Sequence, residues 1–261
     1  MNQKIIFFDI DGTLYEPEIG VPESARKAIC SLLEKNHIPI ICTGRTRAMI
    51  PEYLMEIGFL GVVAGAGTYV EYKGEVLHNK VAGEEEAKAI LSFLQKHGIK
   101  HVAEGPEHVY FDTTDRSEEY DFINQLLHVI GKEKGKSIDD DNIRFNKISC
   151  FLNKPNELTT ILSFIKNKYH EINHQDGVLE LIPIGYTKAT GVQKLLEHLH
   201  IDRKDTYAFG DSMNDIEMLD YVEYGIAMGN SYKEVLKRAK YITRSVKEDG
   251  IYYGLKEFDL I

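Results

Sequence analysis

Cysteine, basic charge and long apolar stretches are all scarce in this chain of 261 residues. The three cysteines, Cys30, Cys42 and Cys150, are scattered and form no Cys-x-x-Cys pair. Neither a zinc site nor a disulfide framework is therefore predicted. The apolar run near the N-terminus, Ile5 to Phe8, is too short for a membrane span or for the apolar region of a signal peptide. We expect a cytoplasmic protein with no membrane association.

The shortage of basic residues limits the possible partners. Lysine and arginine number 31 against 41 acidic residues, which makes the formal net charge −10. An acidic surface disfavours nucleic acid and anionic membranes, because binding to either requires basic patches. A small anionic substrate stays possible, since a binding site can be locally positive in a protein whose net charge is negative. With 43% hydrophobic and 28% charged residues, the composition is that of an ordinary globular protein.

Strand-like and helix-like segments alternate in the first 80 residues. The apolar runs IIFF and IPIIC read as short buried strands, and 22–36 and 49–58 have helical spacing. A strand and a hairpin follow within 61–77. The same alternation resumes after residue 187. Strands alternating with helices predict an α/β domain with a mostly parallel sheet.

The middle of the chain has a different pattern. Strand-like pieces and amphipathic helices are mixed there in an α+β order, and the polar segment 131–141 (GKEKGKSIDDD) is predicted to be a loop. The simplest organisation is one domain formed by 1–80 and 187–261, interrupted by a second domain at 81–186.

Polar clusters follow three of the predicted strands. They lie at 9–13 (DIDGT), 43–45 (TGR) and 210–215 (GDSMND). Because ligands of open parallel sheets bind beyond the carboxyl ends of the strands, we expect all three clusters to face one crevice.

The acids of these clusters indicate a metal. Asp9, Asp11 and Asp211 would converge, and carboxylates that close cannot all stay ionised without a compensating cation. Oxygen ligands, few in number, favour Mg²⁺, and zinc is disfavoured because the clusters contain no histidine or cysteine.

Each motif also has a plain structural explanation. Asp9 and Asp11 can belong to a solvated turn, and Asp211 and Asp215 can begin a helix, where acids are favourable. Lys188 can be simply solvated, and Arg45 is as well explained by a surface ion pair as by substrate contact. The order of the motifs along the chain favours the functional interpretation.

Carboxylates, a metal, small hydroxyl donors and one lysine suit phosphoryl transfer. The metal and the lysine offset charge on the phosphoryl oxygens. A carboxylate can attack phosphorus, and a second carboxylate two residues later can move the proton to the leaving alcohol and from water.

The motifs DIDGTL, TGR, Lys188 before ATGV, and GDSMND resemble, in that order, the four motifs of the haloacid dehalogenase-like superfamily. The large insertion between the second and third motifs resembles the Cof-type phosphatases. The resemblance implies a Rossmann-like core with a mostly parallel sheet and an inserted α+β cap domain that selects the substrate.

The resemblance also implies a role for each matching residue. Asp9 is implied as nucleophile and metal ligand, and Asp11 as general acid and base whose backbone carbonyl also ligates the metal. Asp211 is implied as a further Mg²⁺ ligand, and Asp215 as its support. The implied phosphate-binding residues are Ile10 (through its backbone N–H), Thr43, Gly44, Lys188 and Asn214.

The chain departs from the pattern after its third strand. Relatives often carry Asn-Gly-Ala there, whereas Ala64 stands at the asparagine position of this chain. In the insertion, Arg144 and Lys147 are candidates for contact with the anionic or polar end of a substrate.

The sequence thus predicts a Mg²⁺-dependent phosphatase of small phosphorylated metabolites that uses an aspartyl-phosphate intermediate. The alternatives are a phosphomutase and a regulator that binds a phosphorylated ligand without turnover. The predicted partners exclude nucleic acid and membrane, and the expected assembly is a monomer or a weak homodimer.

Overall fold

The chain folds into two compact units. The structure is a computed structural model that describes residues 3–115, 118–174 and 177–261. The first unit comprises Met1–Gly44, Glu52–His78 and Thr187–Ile261, and the second comprises Arg45–Pro51 and Asn79–Tyr186. None of the helices among the described residues is long and apolar enough to cross a bilayer.

The first unit is built on an eight-stranded sheet. Its strands are β1 (Ile5–Phe8), β2 (Ile38–Cys42), β3 (Gly61–Ala64), β4 (Tyr69–Tyr72), β5 (Glu75–Asn79), β12 (Thr206–Gly210), β13 (Tyr224–Ala227) and β14 (Tyr241–Ile242). Their order is β14-β13-β12-β1-β2-β3-β4-β5. The five pairings from β14 to β3 are parallel, and β4 is antiparallel to β3. The apolar runs IIFF and IPIIC form central strands of this sheet, where both faces are covered. Every residue of β1 and β2 is accordingly buried.

Helices accompany this sheet in the predicted alternation. They are α1 (Glu23–Glu34), α2 (Glu52–Met55), α6 (Lys188–Leu199), α7 (Ile216–Tyr221), α8 (Lys233–Arg238) and α9 (Gly250–Glu257). In α1 the buried residues recur at helical spacing, at Ala25, Ala28, Ile29 and Leu32. The predicted α/β class with a mostly parallel sheet is confirmed.

The second predicted helix is shorter than its sequence pattern indicates. Only Glu52–Met55 of the expected segment 49–58 is α-helical. Ile50 has an extended backbone, with φ −90° and ψ 116°, because the ring of Pro51 disfavours helical geometry in the preceding residue.

The second unit has a six-stranded sheet. Its strands are β6 (Lys100–Glu104), β7 (Val109–Phe111), β8 (Gly135–Ser137), β9 (Lys147–Phe151), β10 (Tyr169–Asn173) and β11 (Val178–Pro183), in the order β10-β11-β9-β6-β7-β8. Its helices are α3 (Glu84–Lys96), α4 (Glu118–Ile130) and α5 (Glu157–Ile165). All strand pairs are antiparallel except β7 with β8. This is the predicted α+β pattern.

The prediction of a loop at 131–141 is wrong in part. Residues Lys132–Lys134 form a 3₁₀ turn and Gly135–Ser137 form β8, which pairs with β7. A three-residue edge strand made of glycine, lysine and serine lacks the apolar alternation by which strands are recognised in sequence.

The division into units differs from the sequence-based boundaries at residues 79–80, which group with the second unit, and at one internal segment. The short stretch Arg45–Pro51, expected in the outer domain, groups with the second unit. Ala48 and Met49 lie in an apolar cluster with residues of β6, β7 and α4. A seven-residue excursion of this kind has no marker in composition or spacing.

Candidate active site

Three parallel strands end beside one another and carry the predicted site residues. Phe8, the last residue of β1, pairs with Ile41 of β2 and with Phe209 of β12. Asp9 and Asp211 follow β1 and β12 directly, and Thr43 follows β2. The three predicted clusters therefore leave the sheet at the same edge, as the strand-end rule predicts.

A buried lysine joins two of the acids. The Lys188 Nζ donates to Asp9 Oδ1 at 2.7 Å and to Asp215 Oδ1 at 2.6 Å. Lys188 is the first residue of α6, and the side chain of Thr187 caps that helix by accepting from the Thr190 N–H. Burial lowers the pKa of Lys188, but the charges of Asp215 and Asp9 outweigh burial and raise it. The ammonium group is thus held in its charged form.

Close backbone packing positions the helix that carries Lys188. A Cβ on Gly67 would overlap the Thr187 carbonyl, and one on Gly191 would overlap Val63. Gly65–Gly67 forms a 3₁₀ turn that follows the buried Ala64. The AGAG sequence that begins at Ala64 therefore allows α6 to pack closely against this turn.

Asp215 is fully engaged by protein donors. Its Oδ1 accepts from Lys188, and its Oδ2 accepts from the Asp211 N–H at 3.0 Å and from the Ser212 N–H at 2.9 Å. The Ser212 hydroxyl oxygen lies 3.1 Å from Oδ2, but its single proton has a closer acceptor in Asn214 Oδ1, at 2.8 Å. With both oxygens occupied, Asp215 supports the arrangement of the other acids and is a poor candidate for direct metal ligation.

Asp9 and Asp211 each keep a carboxylate oxygen available. Asp211 Oδ1 accepts from the Thr13 hydroxyl at 2.8 Å, and Asp9 Oδ1 accepts from Lys188. Among the described residues, neither Asp9 Oδ2 nor Asp211 Oδ2 accepts a hydrogen bond. Oxygens of Asp9, Asp211 and Asp215 lie within 4.8 Å of one another. Carboxylates this close together, two of them with an open oxygen, are suitable ligands for a hard divalent cation such as Mg²⁺.

The electrostatics of the cluster indicate the same need for positive charge. Burial, followed by the charge of Asp215, raises the pKa of Asp9 well above its ordinary value, although Lys188 opposes the shift. Burial and Asp215 also raise the pKa of Asp211, to about 7. Four neighbouring carboxylates, including Asp11, face one ammonium group, and a divalent cation would offset the excess.

The loop after β1 folds back tightly on itself. The Ile10 carbonyl accepts from the N–H groups of Thr13, Leu14 and Tyr15, at 3.2, 2.9 and 2.8 Å. Gly12 has a φ of +79°, and a Cβ there would overlap Asp211 Oδ2. Glycine is required because the loop must adopt left-handed geometry and approach Asp211 closely. Asp11 is exposed at the start of this turn, and its charge contributes to the raised pKa of Asp9 and Asp211.

The predicted phosphate-binding residues lie beside this cluster. Thr43 is 1% exposed, and its backbone is fixed by hydrogen bonds with Val63 and Ala66. A Cβ on Gly44 would lie 3.3 Å from Asn214 Nδ2. The Ser212 hydroxyl donates to Asn214 Oδ1 at 2.8 Å, which turns the Asn214 amide nitrogen toward Gly44. The ends of β2 and β12 thus bring these polar groups together.

Two residues of the site were not assigned a role from the sequence. Thr13 is fully buried and holds Asp211. Ser212 holds Asp215 through its backbone N–H and Asn214 through its hydroxyl. The Ser-x-x-Asp spacing of Ser212 and Asp215 is a capping-box signal that would have found the serine. No local signal marks Thr13, because its partner lies 198 residues away.

Lys147 of the second unit is engaged within that unit. Its Nζ lies 2.5 Å from Glu180 Oε1 and 3.4 Å from Glu104 Oε2, and the side chain is 3% exposed. Its charge is therefore committed to two carboxylates. Arg144, the other candidate for substrate contact, is exposed.

Comparisons with known proteins agree with this geometry. The haloacid dehalogenase-like hydrolase family matches residues 6–255. The chain is 31% identical over 270 residues to "Putative phosphatase YkrA" of Bacillus subtilis (strain 168), covering all of both chains. It is 28% identical over 261 residues to the 5-amino-6-(5-phospho-D-ribitylamino)uracil phosphatase YcsE of the same organism, covering 98% of this chain and 96% of YcsE.

A solved structure shows the same fold. The haloacid dehalogenase subclass IIB sugar phosphatase BT4131 superposes with a TM-score of 0.85 at 27% identity, covering 99% of this chain and all of that one. Phosphatases of this superfamily generally use Mg²⁺, in keeping with the acidic cluster. From its sequence, its fold and the arrangement of its acids, the chain belongs to the haloacid dehalogenase-like hydrolases and is a phosphatase.

Proposed function

We propose that the protein is a Mg²⁺-dependent phosphatase that hydrolyses small phosphorylated metabolites through a phosphoenzyme on Asp9. The observation that carries the proposal is the state of Asp9. One of its oxygens is held by buried Lys188, and the other accepts no hydrogen bond from the described residues. A carboxylate oriented on one side and open on the other is suited to nucleophilic attack.

In the first step, Asp9 Oδ2 attacks phosphorus and the bond from phosphorus to the ester oxygen breaks. Asp11 gives its proton to the leaving oxygen, so an alcohol departs and an aspartyl-phosphate is formed. In the second step, Asp11 takes a proton from water while the water oxygen attacks phosphorus. The bond from phosphorus to Asp9 breaks, which regenerates the carboxylate and releases inorganic phosphate.

The remaining residues bind and orient. Lys188 favours the ionised form of Asp9 and offsets charge on the phosphoryl oxygens. Thr43, Asn214 and the N–H groups of Ile10 and Gly44 donate hydrogen bonds to those oxygens. Asp9, Asp211 and the backbone carbonyl of Asp11 would hold Mg²⁺, which supplies further positive charge beside the phosphoryl group when it is bound.

The relatives favour an open-chain or cyclic polyol as the leaving group. The names of BT4131 and YcsE describe a sugar phosphatase and a phosphatase of a phosphorylated ribityl chain. Both names describe phosphomonoesters of polyols. We assign the choice among such alcohols to the inserted unit, as a cap domain, and we propose that the protein works in the cytoplasm as a monomer or weak homodimer.

Phosphate release from an aryl phosphate tests the chemistry. Asp9→Asn should reduce turnover by more than about 1,000-fold, because the amide cannot form the phosphoenzyme. Asp202→Asn, an exposed aspartate in the same unit, is the matched control and should leave turnover unchanged. Chelation should abolish activity, and added Mg²⁺ should restore it. Full activity of Asp9→Asn, or in the presence of chelator, would contradict the mechanism.

A panel of sugar phosphates, sugar-alcohol phosphates, nucleotides and cofactor phosphates would identify the leaving group. The proposal expects the highest kcat/KM among phosphorylated polyols. A requirement for a catalytic amount of a bisphosphate would instead reveal a phosphomutase, and tight binding without turnover would reveal a regulator.

A further inference from the structure

One loop contacts both of the acid-bearing loops from outside the site. The loop 228–232 follows β13, and its backbone N–H groups donate hydrogen bonds to two carbonyls at the end of β12. The Met228 N–H donates to the Gly210 carbonyl at 3.0 Å, and the Tyr232 N–H donates to the Asp211 carbonyl at 3.1 Å. The loop therefore holds the backbone from which Asp211 projects.

The side chain of Asn230 extends this contact to the other loop. Its Nδ2 donates to the Gly12 carbonyl at 2.8 Å, and its Oδ1 accepts from the Val246 N–H at 3.0 Å. The two partners determine the orientation of the amide, because the carbonyl requires a donor and the N–H requires an acceptor. Asn230 thus links the Asp9–Thr13 loop to the 3₁₀ turn Val246–Glu248.

The Gly12 carbonyl, which accepts from Asn230, lies between two residues of the proposed site. Gly12 is placed between Asp11, the proposed acid and base, and Thr13, which donates to Asp211. The Ile10 carbonyl of the same turn already accepts three hydrogen bonds within the loop. The peptide plane after Gly12 therefore depends on a partner outside the loop, and its orientation sets where Asp11 and Thr13 point.

We propose that Asn230 is a positioning residue for the catalytic loop. It acts through Gly12 and touches neither the proposed metal ligands' side chains nor the phosphate-binding groups. Its amide holds the loop in the geometry in which Thr13 orients Asp211 and Asp11 reaches the leaving oxygen. The kinetic part of this inference rests on the proposed function, whereas the structural part does not.

Two variants separate the two hydrogen bonds of the amide. Asn230→Ala removes both, whereas Asn230→Asp keeps an acceptor for Val246 and places an acceptor against the Gly12 carbonyl. Ser231→Ala is the matched control, because the Ser231 hydroxyl donates to the Met228 carbonyl at 2.6 Å in the same loop and does not contact Gly12.

Kinetics with an aryl phosphate give the first readout. Both Asn230 variants should lower kcat by about 10- to 100-fold, the usual effect of a small misplacement of reacting groups. The KM should change less than about twofold, because Thr43 and Lys188 are unaffected. The Mg²⁺ concentration for half-maximal activity should rise severalfold. Ser231→Ala should keep kcat and the Mg²⁺ dependence of the wild type.

Amide hydrogen exchange without metal or substrate gives the second readout. Asn230→Ala should speed exchange at Val246 by about tenfold or more, and Asn230→Asp should preserve protection there. Both should speed exchange at Thr13, Leu14 and Tyr15, and Ser231→Ala should not.

The inference is overturned if either Asn230 variant retains wild-type kcat, or if 13–15 stay protected in both. A loss of kcat in Ser231→Ala equal to that in the Asn230 variants would also overturn it, because it would show that the loop acts only through its stability and not through the contact with Gly12. If the wild-type protein releases no phosphate with Mg²⁺, the proposed function fails, and the exchange data still decide the role of Asn230.

Discussion

Lys188 is the residue on which the charge balance of the site depends. It is 1% exposed and lies between Asp9 and Asp215. A buried cation is stable only with such partners, and their carboxylates are destabilised by burial in turn. The raised pKa of Asp9 and Asp211 shows that one ammonium group does not compensate the cluster. The residue-level arrangement therefore favours a second, divalent cation.

Gly12 allows a sharp test at the same scale. Gly12 and Gly20 have similar positive φ angles, +79° and +70°, but only a Cβ on Gly12 would overlap Asp211, since nothing lies within 4 Å of the Cβ position at Gly20. Substitution by alanine should cost both about 1 kcal/mol of unfolding free energy from left-handed strain. Gly12→Ala should also lower kcat by more than about tenfold, because the methyl group displaces Asp211.

Urea titrations and steady-state kinetics of Gly12→Ala and Gly20→Ala check this pair. Equal activity of the two variants would show that the close approach of the loop to Asp211 is dispensable.

At the scale of elements, three strands of the inserted unit share a buried polar face. Glu104 of β6 pairs with Lys147 of β9, and Glu180 of β11 pairs with Ser149 of β9. The Ser149 hydroxyl donates to Glu104. Burial raises the pKa of Glu180, but nearby Lys147 outweighs burial and the pKa falls to about 2, whereas burial keeps that of Glu104 above its ordinary value. Glu180, the carboxylate closer to Lys147, is thus stabilised more by the lysine's charge than Glu104 is.

This difference predicts a pH-dependent stability. Because the folded-state pKa of Glu180, about 2, is below its ordinary 4.5, Glu180 stabilises the fold fully above pH 4.5, and its contribution is lost as the pH falls toward 2. Glu180→Gln should lower the unfolding free energy at pH 7 by about 2 kcal/mol. The shift itself corresponds to about 3 kcal/mol, but Glu104 takes over part of the pairing with Lys147.

Urea titrations at several pH values compare the wild type, Glu180→Gln and the exposed control Glu171→Gln on β10. The difference in unfolding free energy between the wild type and Glu180→Gln should become smaller below pH 4.5. A gap that stays constant down to pH 3 would contradict this assignment of charge.

For the whole molecule, the chain crosses between the two units more often than a single insertion requires. It passes from one unit to the other after Gly44, Pro51, His78 and Tyr186. The first crossing comes directly after Gly44. This predicted phosphate-binding residue is therefore adjacent in sequence to Arg45–Pro51, a segment that packs in the inserted unit.

Metal binding should be measurable in the stability of the whole protein. Mg²⁺ at about 100 times its Kd should add about 2.7 kcal/mol to the unfolding free energy, because it binds only the folded cluster. Without metal, Asp211→Asn should melt above the wild type at neutral pH, since it removes one of the crowded carboxylates. With Mg²⁺ the order should reverse.

Thermal melts with chelator and with Mg²⁺, and Asp202→Asn as control, test this. An equal rise in Tm for Asp211→Asn and the wild type would remove Asp211 from the proposed ligands.

Much of the fold followed from local patterns. The buried runs of β1 and β2 and the helical spacing of α1 are properties of short segments, and they predicted the parallel sheet. The patterns did not reveal β8, whose three residues lack apolar alternation, or the length of α2, which Pro51 limits. Short edge strands and segments next to proline are decided by their neighbours in space, which periodicity does not contain.

The four ordered motifs were enough to indicate the fold class and the phosphatase activity, and they supplied the candidate residues of the site. They are legible because strand ends in a parallel sheet must meet at one edge. Tertiary packing alone decided that Lys188 lies between Asp9 and Asp215, 179 residues from the first of them, and that Asn230 holds Gly12. These contacts depend on how closely α6 packs against Gly67 and on where the loop after β13 passes, and both are set by the packed whole rather than by any stretch of sequence.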